Sequence, residues 1–262
     1  MAGGSGRRRG FSLVELAVVL AIVALLVGGM LMPLGAQQDA RRAQQTQATL
    51  TRAEEALIGF ALAQGRLPCP ASNISNGQEA YVGTVGASDC VQPYDGFVPA
   101  VTLALQPVDA QGYLLDGWGQ RVRYAVTAGS APGSIAFTRD AGAGGMKDVG
   151  LGGLAPELRI CASASGATAT GMANADCASN TLLASNAVAV LWSHGANGVR
   201  GGRGADEKHN PNPVDTRVAA DRLFVSRPPS PAGSSGDEFD DLLTWLSPLV
   251  LYQRMIAGGR LP

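Results

Sequence analysis

The stretch GFSLVELAVVLAIVALLVGGMLMPL, residues 10–34, is the most informative part of this sequence. After Glu15 no charged residue occurs until Asp39. Because an α-helix rises about 1.5 Å per residue, about 20 apolar residues span a hydrocarbon core about 30 Å thick. Three arginines at 7–9 precede the stretch without an accompanying acid. By the positive-inside rule this flank is cytoplasmic, so we expect a transmembrane helix that directs the rest of the chain outward.

The order of residues before the apolar helix differs from that of an ordinary secretory signal. Such a signal places its small cleavage residue after the apolar region, whereas here Gly10 comes before it. Glu15 lies near the start of the helix, where an ionisable group is costly and indicates a function. A cut between Gly10 and Phe11 would create an α-amine four residues before Glu15, which is one helical turn away. Because a buried carboxylate needs a partner, Glu15 could pair with its own amine or with that of a second copy.

The segment RRRG-FSLVE followed by an apolar helix resembles the prepilin motif of type IV pilins and of the pseudopilins of type II secretion. The resemblance implies that a prepilin peptidase removes a leader of residues 1–10, cutting after Gly10. It also implies N-methylation of Phe11 and a role for Glu15 in assembly. The implied partners are the lipid bilayer before assembly, other pilin or pseudopilin subunits, and an inner-membrane assembly platform. The simpler alternative is a single-pass anchor with a chance glutamate.

The helical pattern continues beyond the apolar segment. Apolar residues recur at spacings of three, four and seven over residues 36–64, and the charged residues fall mainly on the opposite side. Gly65 supplies a C-cap and Pro68 stops the helix. We therefore expect one helix over residues 11–64, with a transmembrane and assembly part at 11–35 followed by a soluble part.

Short strand patterns dominate residues 65–227 and predict a globular β domain. The candidate strands lie at 121–126, 134–138, 158–161, 187–192 and 223–226. The continuous apolar run AVAVLW at 187–192 suits a buried central strand. Because the connections are short, we expect antiparallel pairing. The predicted fold class is α+β: a long N-terminal transmembrane and amphipathic helix packed on an antiparallel β-sheet in a pilin-like arrangement, with loop insertions.

The turn Asp116-Gly117-Trp118-Gly119 precedes the first predicted hairpin. It resembles the D-P-W-G motif that opens the sheet in pseudopilins and related pilins, with Gly117 in place of the proline. In physical terms, a sharp turn that presents Trp118 to the core is sufficient to explain the pattern.

The end of the chain predicts a helical appendage. Residues 228–236, PPSPAGSSG, have the composition of a linker. Over residues 237–262 we expect a C-terminal helical segment, because the first part places Phe239 and three leucines on one helical face. Ser247 followed by Pro248 then predicts an N-cap with proline at the first helical position.

The chain has four cysteines, an even number that is consistent with disulfides in an oxidising compartment. Three pairings are possible. We favour the sequence-local pairs Cys69–Cys90 and Cys161–Cys177, because each pair brackets a turn-rich loop. Zinc binding is the alternative, but the chain has no C-x-x-C pair and its two histidines lie in one loop without helical spacing.

Composition and motifs argue against several other classes of function. A formal net charge of −1 lacks the excess of positive charge that is typical of nucleic-acid-binding proteins, so we expect no nucleic-acid partner. The chain contains no G-x-S-x-G motif, and His194 beside Ser193 has no acid at a recognisable spacing. We therefore expect no enzymatic activity, no cofactor and no metal. The acids at 237–241 predict a helix N-terminus favoured by the helix dipole. Calcium binding by these acids is the more specific alternative, since some pseudopilins bind calcium in a C-terminal loop. The acids lack, however, the D-x-D-x-D alternation of a preformed calcium loop.

The sequence thus predicts a structural prepilin-like subunit of a type IV pilus-like filament. A chain of 262 residues is large for a major pilin, which favours a minor one. A type II secretion pseudopilin is the alternative within the class. An alternative of another class is a membrane-tethered periplasmic binding or enzyme domain that does not polymerise. We expect a single pass through a bacterial inner membrane with the C-terminal domain in the periplasm, and a periplasmic or extracellular filament after assembly.

Overall fold

A computed structural model describes residues 12–129, 131–169, 175–178, 181–198, 204–210, 222–231 and 238–262; within these, the side chains at 26–34, 36, 168, 169 and 175 are not described. The chain divides into two compact units, Met1–Arg41 and Arg42–Pro262. The apolar clusters described below all belong to the second unit.

The first element is the helix α1, Leu13–Gln64, and its C-terminal end is where the sequence predicts it. Gly65 follows with a φ of 80°, a conformation that favours glycine and ends helices. Leu50, Leu57 and Ala61 are fully buried at helical spacing, which confirms the apolar stripe of the soluble half. Within the part of the chain that is described, no helix is long and apolar enough to cross a membrane. Membrane insertion of residues 11–35 therefore stays a prediction from the sequence.

The strands in chain order are β1 Gly96–Phe97, β2 Arg123–Val126, β3 Leu158–Cys161, β4 Thr168–Ala169, β5 Ala175–Asp176, β6 Leu182–Ala187, β7 Ala189–Ser193, β8 Leu223–Val225 and β9 Leu242–Leu246. The main sheet has the order β1-β2-β7-β9 and every pair in it is antiparallel. A second sheet has the order β6-β3-β8, in which β3 and β8 are parallel. The smallest sheet pairs β4 with β5. The predicted α+β class with an antiparallel sheet is confirmed, and the parallel pair was not predicted.

The short helices are α2 Pro132–Ile135, α3 Met146–Val149 and α4 Pro248–Ala257. The strand predicted at 134–138 is wrong, because this stretch completes α2 and continues as a 3₁₀ turn over Ala136–Thr138. Pro132 occupies the first turn of α2, where its fixed φ and missing N–H favour a helix.

The predicted C-terminal helical segment is correct only in its second half. Leu242–Leu246 is not helical but forms β9, the outermost strand beside β7 in the main sheet. Both faces of this strand are apolar. Its leucines therefore follow one another closely enough in sequence to imitate the apolar face of a helix. Leu242 and Leu246 pack toward α1 and α4, while Leu243 and Trp245 pack against the second sheet. Ser247 and Pro248 begin α4 as predicted, and the buried Leu251 and Met255 make α4 part of the core.

The main sheet is covered on both faces. One cluster joins α1 and α4 to the face that carries Tyr124, Leu191 and Leu246. The opposite face contributes Val190 and Trp192 to a cluster with the second sheet. Every residue of β7 is buried, in agreement with the central strand predicted from AVAVLW, although Ala187 ends β6 and β7 begins at Ala189. The loop that follows β7 is therefore held at one fixed edge of the core.

Candidate functional site

The N-terminal end of α1 places Glu15 in a defined position. Ser12 immediately precedes the helix, and its Oγ accepts a hydrogen bond from the Glu15 backbone N–H at 3.1 Å. This is one of the two hydrogen bonds of a capping box, for which the sequence Ser-x-x-Glu is the signature. A carboxylate in the first turn is favoured by the helix dipole, by about 0.3–1 kcal/mol on an exposed surface. The cap formed by Ser12 therefore explains why a serine precedes Glu15 by three residues, a role that was not predicted from the sequence.

The surface around Glu15 is apolar and open. Leu13 is 87% exposed and Val14 is 73% exposed, and the neighbouring Leu16 and Val18 are also exposed. An acid surrounded by open apolar side chains is the arrangement expected of a helix that is later enclosed by lipid or by other helices. Gly10 and Phe11, the predicted cleavage and methylation residues, lie outside the described residues.

The Asp116–Gly119 turn joins α1 to the main sheet. Asp116 Oδ1 accepts hydrogen bonds from the backbone N–H groups of Trp118 and Gln120, both at 2.8 Å. Asp116 Oδ2 accepts a hydrogen bond from Ser193 Oγ at the end of β7. Burial raises the pKa of Asp116, while the Ser193 hydroxyl acts in the opposite direction. The buried residue of the turn is thus Asp116; Trp118 is only half-buried and is not part of the core.

Two disulfides are present, Cys69–Cys90 and Cys161–Cys177. They are the two sequence-local pairs favoured above. Cys69 and Cys90 lie in the cluster formed with α1. Cys161, the last residue of β3, lies with Cys177 in the cluster that contains Phe239. Each disulfide therefore ties a loop to an existing piece of core.

Two adjacent acids and a third that is distant in sequence come together beside the start of β9. Single carboxylate oxygens of Glu207, Asp240 and Asp241 all lie within 4.8 Å of one another; we call these three residues the carboxylate cluster. Glu207 begins a 3₁₀ turn, Glu207–His209, whereas Asp240 and Asp241 directly precede β9. The helix N-terminus predicted for 237–241 is therefore wrong at Asp240 and Asp241, while Asp237 lies outside the described residues.

The loop that follows β7 contacts the carboxylate cluster. The Asn197 backbone N–H donates to Asp240 Oδ2 at 3.1 Å, and its side-chain amide donates to Glu207 Oε1 at 3.1 Å. His194 Nδ1 lies 3.6 Å from Asp241 Oδ1, so the structure supplies the acid neighbour that sequence spacing did not reveal. Burial raises the pKa of Asp240 to about 7; the Asn197 N–H opposes this rise and the charge of Glu207 adds to it.

Comparison with known proteins gives a result for the N-terminus alone. Residues 5–31 match the family model of the prokaryotic N-terminal methylation motif, which is the signature of type IV pilins and pseudopilins. No curated protein and no solved structure matches the chain. The matched range contains Gly10, Phe11 and Glu15. The chain therefore carries the prepilin-type N-terminus that RRRG-FSLVE predicts, and the motif supports a type IV pilin-like or pseudopilin subunit.

Proposed function

We propose that this protein is a structural subunit that assembles through α1 into a type IV pilus-like filament, as a minor pilin. The observation that carries the proposal is the methylation motif matched over residues 5–31. Glu15 lies within that range, in the first turn of α1 among exposed apolar side chains. A prepilin peptidase would cut after Gly10 and the new Phe11 amine would be methylated. The C-terminal domain would face the periplasm while the apolar helix is held in the inner membrane.

Assembly would proceed by moving the apolar helix from the bilayer into a bundle of like helices. An inner-membrane platform and other pilin subunits are the implied partners. In the bilayer, Glu15 lies near the cytoplasmic interface, where water and its own amine can satisfy the carboxylate. In a filament, neighbouring helices enclose it, and the nearest cation is the Phe11 amine of the same or another copy. Glu15 would then select the register in which each amine finds a carboxylate.

The proposed role of the folded domain is structural rather than enzymatic. The hydroxyl of Ser193, which precedes His194, donates a hydrogen bond to Asp116 and so fixes the turn that rests on α1. Asp116 in turn holds two backbone N–H groups of that turn. The Ser193 hydroxyl and the Asp116 carboxylate therefore join the helix to the sheet. A domain that is carried on an assembly helix requires such a connection.

The test is Glu15→Ala expressed beside wild type. Insertion and cleavage should be unchanged, because the apolar run is intact. Incorporation into sheared filaments, or into crosslinks with partner subunits, should fall by more than a hundredfold. Breaking a buried ion pair costs about 3–5 kcal/mol, and about 1.4 kcal/mol corresponds to tenfold.

Glu55→Ala is the matched control, since it removes an exposed carboxylate from the soluble half of the same helix. It should assemble like wild type at equal membrane level. Equal incorporation of Glu15→Ala would reject the assembly role and favour a tethered domain that does not polymerise. Deleting the protein separates the two assembly alternatives: loss of surface filaments supports a pilin, whereas loss of secreted proteins with intact filaments supports a secretion pseudopilin.

A further inference from the structure

A cavity of about 420 Å³ lies at the edge of the Asp116–Gly119 turn. Its volume is within the range of about 300–1,000 Å³ that is usual for small-molecule sites. The side chains that line it and that matter for its chemistry are those of Phe97, Asp109, Gln120, Arg121, Arg123 and His194. Two arginines, an amide and a histidine in one wall favour a polar ligand that brings negative charge.

The two arginines lie on the face of the main sheet that the soluble half of α1 does not cover. Val122 and Tyr124, which alternate with Arg121 and Arg123 along the chain, belong to the cluster formed with α1. Because successive side chains of an extended segment point to opposite faces, Arg121 and Arg123 point to the other face. Assembly through α1 would therefore not by itself close the cavity.

Aromatic rings lie against both guanidinium groups. Arg123 Cζ is 4.4 Å from the ring centroid of Phe97, its cross-strand neighbour in β1. Arg121 Cζ is 4.1 Å from the ring centroid of Tyr113 and 5.7 Å from that of Phe97. These distances are those of cation–π contacts, which reach to about 6 Å. A guanidinium group that contacts a ring through its flat face keeps the N–H groups in its own plane for other partners.

Neighbouring residues orient the two guanidinium groups without using all of their donors. Arg121 donates through Nε to Asp109 Oδ2 at 2.6 Å and through Nη2 to Gln111 Oε1 at 2.9 Å. Arg123 contacts the Asp95 carboxylate and donates to the Asp95 carbonyl oxygen, in both cases through Nη2. Within the described chain, Nη1 of neither arginine donates a hydrogen bond, and Arg123 Nε is buried without a partner. The two side chains therefore keep N–H groups that a ligand can use.

The positive charge of Arg123 is only partly compensated. Its side chain is 4% exposed, and burial lowers its pKa to about 9 although the Asp95 carboxylate touches it. A buried charge is unfavourable unless opposite charge and hydrogen bonds replace the lost hydration. An anion in the cavity would supply negative charge and would accept hydrogen bonds from the unused N–H groups. A carboxylate suits guanidinium groups best, because its two oxygens accept two parallel hydrogen bonds from one fork.

We propose that this cavity binds an acidic sugar, whose carboxylate is held by Arg121 and Arg123. The rest of the wall suits the sugar ring. Gln120 and His194 line the cavity, and within the described chain their side chains make no hydrogen bond. Amide and imidazole groups can both donate to and accept from hydroxyl groups. An apolar carboxylate would leave these two side chains unpaired, which is costly for buried polar groups.

The experiment titrates the full-length protein in detergent with D-glucuronate by calorimetry. D-glucose, the neutral counterpart, and benzoate, a carboxylate without hydroxyl groups, are titrated beside it. We expect saturable binding of about one glucuronate per chain, and affinities for glucose and benzoate that are weaker by about tenfold or more. Arg121→Gln and Arg123→Gln should each weaken glucuronate binding by a similar factor. Arg139→Gln is the matched control and should bind like wild type, since Arg139 is a partly exposed arginine paired with Asp89 away from the cavity.

Four outcomes would overturn the proposal. The first is the absence of saturable glucuronate binding by folded wild-type protein. The second is binding of glucose or benzoate as tight as that of glucuronate, because the carboxylate or the hydroxyl groups would then not be recognised. The third is tighter binding of inorganic phosphate than of glucuronate, which would assign the cavity to a tetrahedral anion. The fourth is an unchanged glucuronate affinity in Arg121→Gln. If the buried Arg123→Gln variant fails to fold, the wild-type titrations and Arg121→Gln still decide all four.

Discussion

Gly117 donates its backbone N–H to the buried Oγ1 of Thr46 at 2.9 Å, and so fixes the Asp116–Gly119 turn against α1. A Cβ at Gly117 would lie 2.3 Å from the Arg42 carbonyl oxygen, so the turn rests directly on the helix backbone. A proline here would lack the donor and would clash with that carbonyl. Glycine in place of the proline of the D-P-W-G motif is thus required by this packing.

Gly117→Ala should lower the free energy of unfolding by about 1–3 kcal/mol, because the helix must move to accept the Cβ. Gly117→Pro should cost more, since it also leaves the buried Thr46 hydroxyl without its donor. Urea denaturation measures both effects. The control is Gly59→Ala, which lies on an exposed face of α1 with nothing within 4 Å and should gain up to about 1 kcal/mol. Equal stability of Gly117→Ala and wild type would contradict this packing.

Removal of either disulfide should destabilise the domain. Cys69–Cys90 closes a loop with a sequence separation of 21, and Cys161–Cys177 one of 16. Closing a loop of this size restricts the unfolded chain and so raises the free energy of unfolding by about 3 kcal/mol. We expect each double alanine variant to unfold at lower urea concentration, and peptide mapping without reduction to yield only these two links. Crossed links, or free thiols in protein from its native compartment, would contradict the pairing.

The glycine-rich loop before α3 should loosen in acid. Asp148 Oδ2 accepts hydrogen bonds from the N–H groups of Gly142, Gly144 and Gly145, and the first of these contributes most to lowering its pKa. Because the folded-state pKa is lowered, the stabilisation is present above the unfolded value of about 3.9 and is lost as pH falls through the folded value.

Hydrogen exchange of the three glycine amides measures this effect. At pH 7 they should exchange faster in Asp148→Ala than in wild type, and at a pH below the folded pKa the two proteins should exchange alike. Lys147→Ala, an exposed neighbour, is the control and should leave the amides protected at pH 7. A difference of the same size at both pH values would show that the charge of Asp148 is not responsible.

Processing of the N-terminus should depend on Gly10. Mass spectrometry of the mature protein should find methylated Phe11 as the first residue. Gly10→Val should leave the precursor uncut, because the bulkier side chain replaces the small residue at the cleavage position. Gly6→Val, which changes a glycine elsewhere in the leader, should be processed normally. A mature chain that begins at Met1, or at another residue, would reject the prediction.

Local pattern was sufficient for the elements that extend along one piece of chain. The end of α1 at Gln64 follows from Gly65, and the central strand follows from its continuous apolar run. The motif around Gly10 and Glu15 is also contiguous, which is why sequence alone identifies it. The two disulfides join cysteines that are near in sequence, so proximity was an adequate guide.

The remaining features depend on contacts between distant segments. The sequence predicted a helix at Leu242–Leu246, but backbone hydrogen bonds to β7 and apolar partners on both faces make it a strand. The turn requires glycine at Gly117 because the carbonyl oxygen of Arg42, which lies far away in sequence, leaves no room for a Cβ. The carboxylate cluster forms because the Glu207–His209 turn lies beside the residues that precede β9, where the Asp240 backbone N–H donates to Glu207 Oε1 at 2.9 Å. Sequence determined the prepilin-type N-terminus because its motif is contiguous, whereas only the tertiary structure could determine the cluster, since Glu207 and Asp240 meet through contacts between distant segments.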